Sequence, residues 1–315
     1  PFLSYISSRE EMYDKKGFLP KAYNFGCSIE QDVKRRDFTI NTLALKLTGI
    51  DKFKLIDYFN GYNDILNKKI RILHKESFSD DPSRIIRALK FKLRLGFDIE
   101  EQTYSSMQKY LECQDDLIPL ERVKSELKQY FEIKSKEVYE LLILSKAYKL
   151  ISQNPIKEFN YKRLNKISAY NLFSAEETPY IFFFSLILNS DYAISRLNLK
   201  SYEYKVLSQV RELYSISPIE DNNEKIYKLY TGLENLTLAT FFIISGDKTV
   251  IHYIEKLKNI KTNINGRDIA ALGIKPGEIY SEIFDAILRE KINGLLITKE
   301  DELEFVREII KKGSD

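Results

Sequence analysis

The sequence predicts an α+β fold in which a small mixed segment precedes a long all-helical arm, and three observations lead there. Short strand-like runs with nearby turn residues gather before about Ile72. From about Asp81 onward, apolar residues recur at three- and four-residue spacing almost without a break. The chain has 315 residues, enough for two or three compact units, and no period of some 20–50 residues repeats strongly enough for a solenoid.

In chain order, Phe2–Ser7 and Phe53–Asp57 read as strands. Gly17, Pro20 and Gly26 punctuate the stretch before a helix that should start near Asp32. The helical series then runs Ser83–Leu95, Glu101–Glu112, Leu120–Phe131 and Ser135–Ser152. It continues through Thr178–Asn189, Tyr202–Tyr214 and Glu224–Tyr230, with loops rich in Asn, Ser and Pro between. Gly266–Ala271, Ile279–Glu290 and Lys299–Lys311 close it. The most apolar runs, Tyr180–Leu188 and Leu238–Ile244, are far short of the ~20 residues of a membrane span, so they read as buried helices.

Composition narrows the function classes. Hydrophobic residues at 43% and charged residues at 30% argue against disorder. A net charge of only +3 means that any nucleic-acid surface must come from local clustering. Tyr (21) and Phe (19) are plentiful and Trp is absent; most of these rings belong in the core, though some could stack on bases. Cys27, Cys113, His74 and His252 form no zinc-like spacing; His74 and both cysteines read as structural, and two cysteines argue against a disulfide framework and fit a reducing cytoplasm. No secretory signal opens the chain, which starts at Pro1 without Met inside a strand-like run; this start hints at missing sequence.

The sharpest local signal is Asp80-Asp81-Pro82-Ser83-Arg84, leading into Ile85–Phe91. Pro82 suits a first helical position and Asp81 an N-cap, so a well-capped helix accounts for this stretch by itself. The same geometry allows chemistry. Asp81 only accepts hydrogen bonds, Arg84 only donates, and one turn of helix puts them side by side. Such a pair matches cytosine or adenine, which present an exocyclic amine next to a ring-nitrogen acceptor. Uracil and guanine present the reverse order and would leave polar groups unpaired. Lys34-Arg35-Arg36-Asp37-Phe38-Thr39-Ile40-Asn41 is either a solvated charge run or a triphosphate and ribose clamp. In the second reading the arginines take phosphate oxygens, and Asp37 and Asn41, on one helical face, orient an arginine or hold sugar hydroxyls. Asp57–Ile65 reads as a strand leaving into a glycine turn, and Glu121–Leu127 as an ordinary amphipathic helix start. Arg84, Arg87, Lys90 and Arg94 make a rough basic stripe that starts at the base-reading pair.

In this order and spacing, these segments resemble the bacterial tRNA nucleotidyltransferase and poly(A) polymerase family, the CCA-adding and A-adding class. The matching stretches are RRDFTINTLAL at Arg35–Leu45 (without an extra Glu that the family carries after its double Arg), DYFNGYNDI at Asp57–Ile65, RILHKESFSDDPSRIIRALKFKLRLGF at Arg71–Phe97 and ERVKSEL at Glu121–Leu127. Arg9, Glu11, Tyr13 and Gly17–Pro20 resemble the segment before the double Arg, and Ile264–Leu288 with Ile292–Val306 resembles the family's tail. Asp80 stands where the family more often has Glu.

The resemblance implies a fold and roles. Residues 1–75 would be the C-terminal part of a nucleotidyltransferase head, a remnant of its mixed sheet. Residues 76–135 would be a helical neck with the base-selecting site, 136–215 a helical body and 216–315 a helical tail that binds RNA. Asp81 and Arg84 would pair with the incoming base, and Arg35, Arg36, Asp37 and Asn41 would contact or shape the ribose and triphosphate pocket. Asp57, Gly61 and Asp64 would belong to a hinge-like segment. Arg87, Lys90 and Arg94 would contact RNA. The implied activity is template-independent addition of C and/or A, from CTP or ATP, to tRNA 3′ ends. Its Mg²⁺ would be held by an Asp-x-Asp pair after a Gly-Gly loop. This sequence has no adjacent glycines and no Asp-x-Asp, so the catalytic carboxylates are expected upstream of Pro1, in a missing segment or companion chain, and this chain by itself is expected to be inactive. The alternatives are a non-catalytic RNA-binding module derived from the family and a poly(A) polymerase acting on other RNA.

Overall fold

The structure is a computed structural model that describes residues 6–12, 14, 20–113 and 120–312. The α+β class holds: three two-stranded pairings lie in the N-terminal third, and helices dominate after them. The chain divides into two compact units, one of residues 1–159 and 174–204, the other of 160–173 and 205–315. These cut across the four segments expected from the sequence, since residues 136–215 are shared between them.

The first unit begins with β1 (Glu10–Met12) and β2 (Lys21–Tyr23), an antiparallel pair, followed by α1 (Ile29–Lys34). Ser28 caps α1, and the Gln31 side chain accepts from the Ser28 amide, a reciprocal cap that starts this helix before Asp32. β3 (Ala44–Leu45) and β4 (Leu55–Ile56) pair antiparallel. The expected strand Phe53–Asp57 is shortened to β4, because Phe53 sits in the left-handed region at φ 69°. In the other expected strand, Phe2–Tyr5 lie outside the described residues, and Ile6 and Ser7 are not in a strand. α2 (Gly61–Leu66) leads to β5 (Lys69–Ile70), α3 (Ser77–Asp80) and α4 (Ser83–Leu95). β6 (Asp98–Ile99) then pairs parallel with β5. Next come α5 (Glu101–Glu112), α6 (Leu120–Phe131) and α7 (Val138–Leu144). The continuous helix expected over Ser135–Ser152 is broken, since Lys146 adopts φ 60° and a short 3₁₀ turn, Ala147–Leu150, follows.

α8 (Tyr161–Ser168) belongs to the second unit, and the chain returns to the first as α9 (Thr178–Ile187) and α10 (Asp191–Arg196). α9 is the apolar run read as a buried helix, with every residue from Pro179 to Ile187 buried except Tyr180. Its Phe182 lies 5.4 Å from Phe131 and 4.6 Å from Phe159, ring centre to ring centre, so those aromatics are core.

The first turn of α11 (Ser201–Ile216) belongs to the first unit, the rest to the second. The second unit continues with α12 (Asn223–Tyr230), α13 (Asn235–Ser245), α14 (Thr249–His252), α15 (Gly266–Ala271), α16 (Ile279–Ile292) and α17 (Lys299–Lys312). α13 is buried nearly all round and ends at Gly246, φ 75°. Arg163 of α8 donates to the Ile243 and Ile244 carbonyls at that end, both at 3.1 Å, and satisfies acceptors the helix leaves open. The positive φ favours glycine, and a Cβ on Gly246 would stand 2.4 Å from that guanidinium and push it off the two carbonyls. At the C-terminal end, Ile264, Ile269, Ile283, Ile287 and Val306 form a separate small core.

Candidate functional site

The site is assembled on Phe38, which is fully buried with Ile70 and Ala88 and meets Phe91 edge to face at 5.8 Å. The Thr39 amide donates to the Arg71 carbonyl at 2.9 Å. These contacts seat the Arg35–Asn41 segment on α4, so two motifs some fifty residues apart in sequence share one place. Asp37 is buried, and its Oδ1 accepts from the Phe38 amide (2.9 Å) and the Asn41 side chain (2.8 Å). The other oxygen, Oδ2, takes Arg87 Nε at 2.7 Å.

Gly61 supports the same segment from behind. α2 packs so closely on the Thr39–Asn41 turn that a Cβ on Gly61 would lie 2.2 Å from the Thr39 carbonyl oxygen. Asp57 accepts from the Gly61 and Tyr62 amides, and Asp64 accepts from the Thr39 hydroxyl at 2.7 Å. The motif read as a strand and glycine turn is therefore the backing of the Asp37 loop. Gly61→Ala is expected to overpack this contact and cost about 1–3 kcal/mol. Chemical denaturation checks it: unchanged stability would mean that the turn yields without cost.

Asp81 lies between α3 and α4 with extended backbone, φ −147° and ψ 93°, as the residue before a proline prefers. It was expected as the N-cap of α4. The helix instead starts at Ser83 with Pro82 in the cap position, and Asp81 Oδ1 reaches forward to the Ser83 amide (3.1 Å) and hydroxyl (2.6 Å). Asp81 and Arg84 are only 2% and 5% exposed, and Arg84 Nε stands 3.7 Å from Asp81 Oδ2. Arg84 Nη1 donates to Ser77 Oγ at 2.7 Å and Nη2 to the Arg35 carbonyl at 3.1 Å. The structure thus brings the pair together, fixes both groups, and joins the pair to the double-arginine segment.

Two supporting residues come from α6, whose sequence read as an ordinary amphipathic start. Arg122 Nη2 donates to Asp81 Oδ2 at 2.6 Å, while its Nη1 is buried without a hydrogen-bond partner. Glu126 accepts from Arg87 Nη1 (3.2 Å) and Lys90 Nζ (2.6 Å). Burial opposes the Arg87 cation, but Asp37 and Glu126 beside it outweigh this and raise its pKa above the ordinary arginine value. Lys90 is itself buried and also reaches Gln129 at 2.8 Å. Of the expected basic stripe, Arg87 and Lys90 face inward as ion-pair partners and Arg94 is exposed.

The rest of the expected clamp is partly outward. Arg35 is held by Asp32 Oδ1 (3.0 Å) and Glu11 Oε1 (3.0 Å), whereas Arg36 is exposed and touches Asp32 Oδ2 at 3.3 Å. Burial alone would raise the Asp32 pKa. The Arg9 amide together with Arg35 and Arg36 reverses that, and the carboxyl titrates below the usual range. Clustered carboxylates are what a divalent metal for nucleotidyl transfer would need. Among the described residues no group of three or more His, Cys, Asp or Glu is placed to hold a metal ion, so they do not fit that group. No described helix is long and apolar enough to cross a membrane.

Residues 4–71 match the family model of the poly A polymerase head domain. Along most of the chain, an A-adding tRNA nucleotidyltransferase of Geobacter sulfurreducens is 28% identical and one of Aquifex aeolicus 30% identical, over 95% and 93% of this chain. The chain spans only 37% and 38% of the length of these two relatives. Among solved structures, an apo CCA-adding enzyme superposes with a TM-score of 0.74 at 26% identity, covering 96% of this chain and 76% of that one. A Thermotoga maritima CCA-adding enzyme complexed with tRNA superposes at 0.67 with 27% identity, covering 90% of this chain and 74% of that one. Head-domain match, chain-long relatives and structural neighbours all point the same way: along its length the chain is similar to the bacterial tRNA nucleotidyltransferases.

Proposed function

We propose that this chain selects the base and holds the RNA in a template-independent addition of C and/or A to tRNA 3′ ends. The observation that carries the reading is the buried Asp81–Arg84 pair, an acceptor and a donor 3.7 Å apart. In this reading the exocyclic amine of CTP or ATP donates to Asp81 and its ring nitrogen accepts from Arg84. A carboxylate oxygen has two lone pairs, so Asp81 Oδ2 can hold Arg122 and a base amine together. Arg36 faces the triphosphate, and Arg35, Asp37 and Asn41 shape the pocket around ribose and phosphate. Arg94 contacts RNA, while Arg87 and Lys90 act through the ion pairs that fix Asp37 and α6. The relatives' names and a neighbour solved with CTP support the choice of substrate class. Mg²⁺ enters only as the ion this reaction class calls for, and no described residue is assigned to it. The cytoplasm, where tRNA ends are processed, is the proposed setting.

The test is nucleotide incorporation by the intact protein into tRNA lacking its 3′ end, with each NTP in turn. CTP or ATP should be used and UTP and GTP refused; indifferent use of all four would overturn the reading. RNA binding should weaken as salt rises, because phosphate contacts release counterions.

A further inference from the structure

α6 has two working faces. Arg122 and Glu126 serve the base-reading site, while Glu121, Lys124, Ser125 and Lys128, at the spacing of the other face, line a cavity of about 330 Å³. That volume lies at the lower end of small-ligand pockets, roughly 300–1,000 Å³. Tyr180 and Phe183 of α9 supply its aromatic wall.

The cavity is built rather than incidental. Glu121 accepts from the Asn198 amide at 2.7 Å, and Lys124 Nζ donates to the Asn198 carbonyl at 3.1 Å. Buried Glu203 takes Lys124 Nζ at 2.7 Å and the Lys200 amide at 2.9 Å. The loop at the mouth is therefore pinned from both sides, and the charge of Lys124 is neutralised inside. Lys128 and Lys200, also lining the cavity, are exposed and have no carboxylate partner among the described residues. The Lys128 ammonium lies 5.8 Å from the Tyr180 ring centre. An aromatic wall flanked by two cations, which outnumber the one lining carboxylate left outside the Lys124–Glu203 pair, Glu121, suits a planar group that carries an anion. Among the described residues no arginine and no glycine-rich loop lines the cavity, so they form no polyphosphate cradle.

We propose that this cavity holds one nucleotide of a single RNA strand, its base against Tyr180 and Phe183 and its phosphate between Lys128 and Lys200. The inference deepens the proposed function, since it adds a second nucleotide site on the far side of α6, and it rests on that reading only for the identity of the strand.

The test is binding of a short oligo(U), whose base does not suit the Asp81–Arg84 pair. The double variant Lys128→Glu, Lys200→Glu should lower oligo(U) affinity by about tenfold or more and reduce its salt dependence. Ser125→Trp, which fills the cavity from an exposed helix position, should lower affinity without removing a charge. ATP binding, monitored in parallel, should persist in both variants. Oligo(U) affinity unchanged in both variants would overturn the proposal. UMP competing as tightly as the oligonucleotide would overturn the RNA assignment in favour of a free mononucleotide. Lost base preference at the Asp81–Arg84 pair, with oligo(U) binding still sensitive to the variants, would sink the proposed function and support this site.

Discussion

Arg84→Ala in the intact protein is expected to erase most of the preference for C and A over U and G. Arg84 is 5% exposed and locked at both terminal nitrogens, so its donors are pre-organised and desolvated. A wrong base presented to such a group leaves buried polar atoms unpaired, worth about 1–3 kcal/mol. Removing the arginine removes that penalty, so discrimination should fall by ~10- to 100-fold. The ratio of incorporation rates is the informative readout, because partial unfolding lowers all four rates together. Arg84→Lys should fail to restore the ratio, since an ammonium cannot span Ser77 and the Arg35 carbonyl as a planar fork does. A selectivity ratio unchanged in Arg84→Ala would remove the base-reading role.

Local pattern made much of this molecule legible. Helices over Ser83–Leu95, Glu101–Glu112 and Leu120–Phe131 follow directly from apolar spacing. The buried character of α9 and α13 follows from their all-round apolarity. Where prediction failed, backbone conformation decided: Lys146 and Phe53 at positive φ ended a helix and a strand that side-chain pattern would have continued. Ser28 and Gln31 carried a capping signature at α1 that could have fixed its start.

The site was legible as a set of residues but not as a network. Asp81, Arg84, Asp37 and Arg35 stood out in sequence, and the structure joins them. That Arg87 should pair with Asp37, or Lys90 with Glu126, could not be read, because these partners lie 50 and 36 residues apart and meet only after α4 packs against the Asp37 loop and against α6. A basic stripe at helical spacing looks the same whether its partners are phosphates or carboxylates of another helix. Arg122 was hidden for the same reason. Its segment was singled out, but nothing local says that its guanidinium reaches Asp81.

Glu302→Ala is expected to be the most damaging substitution in the second unit. Glu302 is fully buried, accepts from the Asn263 amide (2.8 Å) and the Ile264 amide (2.9 Å), and pairs with Lys291. It therefore ties α16, α17 and the turn before α15 around the small core of Ile264, Ile269, Ile283, Ile287 and Val306. Alanine leaves the buried Ile264 amide and the part-buried Asn263 amide without an acceptor, and a nearly buried ammonium without a counter-charge. Breaking one side of such a pair costs about 3–5 kcal/mol. With two compact units, a single global unfolding curve is a poor monitor, so hydrogen exchange at the Asn263 and Ile264 amides is the measurement of choice. Protection there should fall by ~100-fold or more, about the equivalent of 3 kcal/mol, while amides of α4 and α6 keep theirs. Glu302→Gln, which retains an acceptor oxygen but not the charge, should fall between wild type and alanine. Equal protection in wild type and Glu302→Ala would mean that the apolar core alone holds this end together and that the buried carboxylate is dispensable.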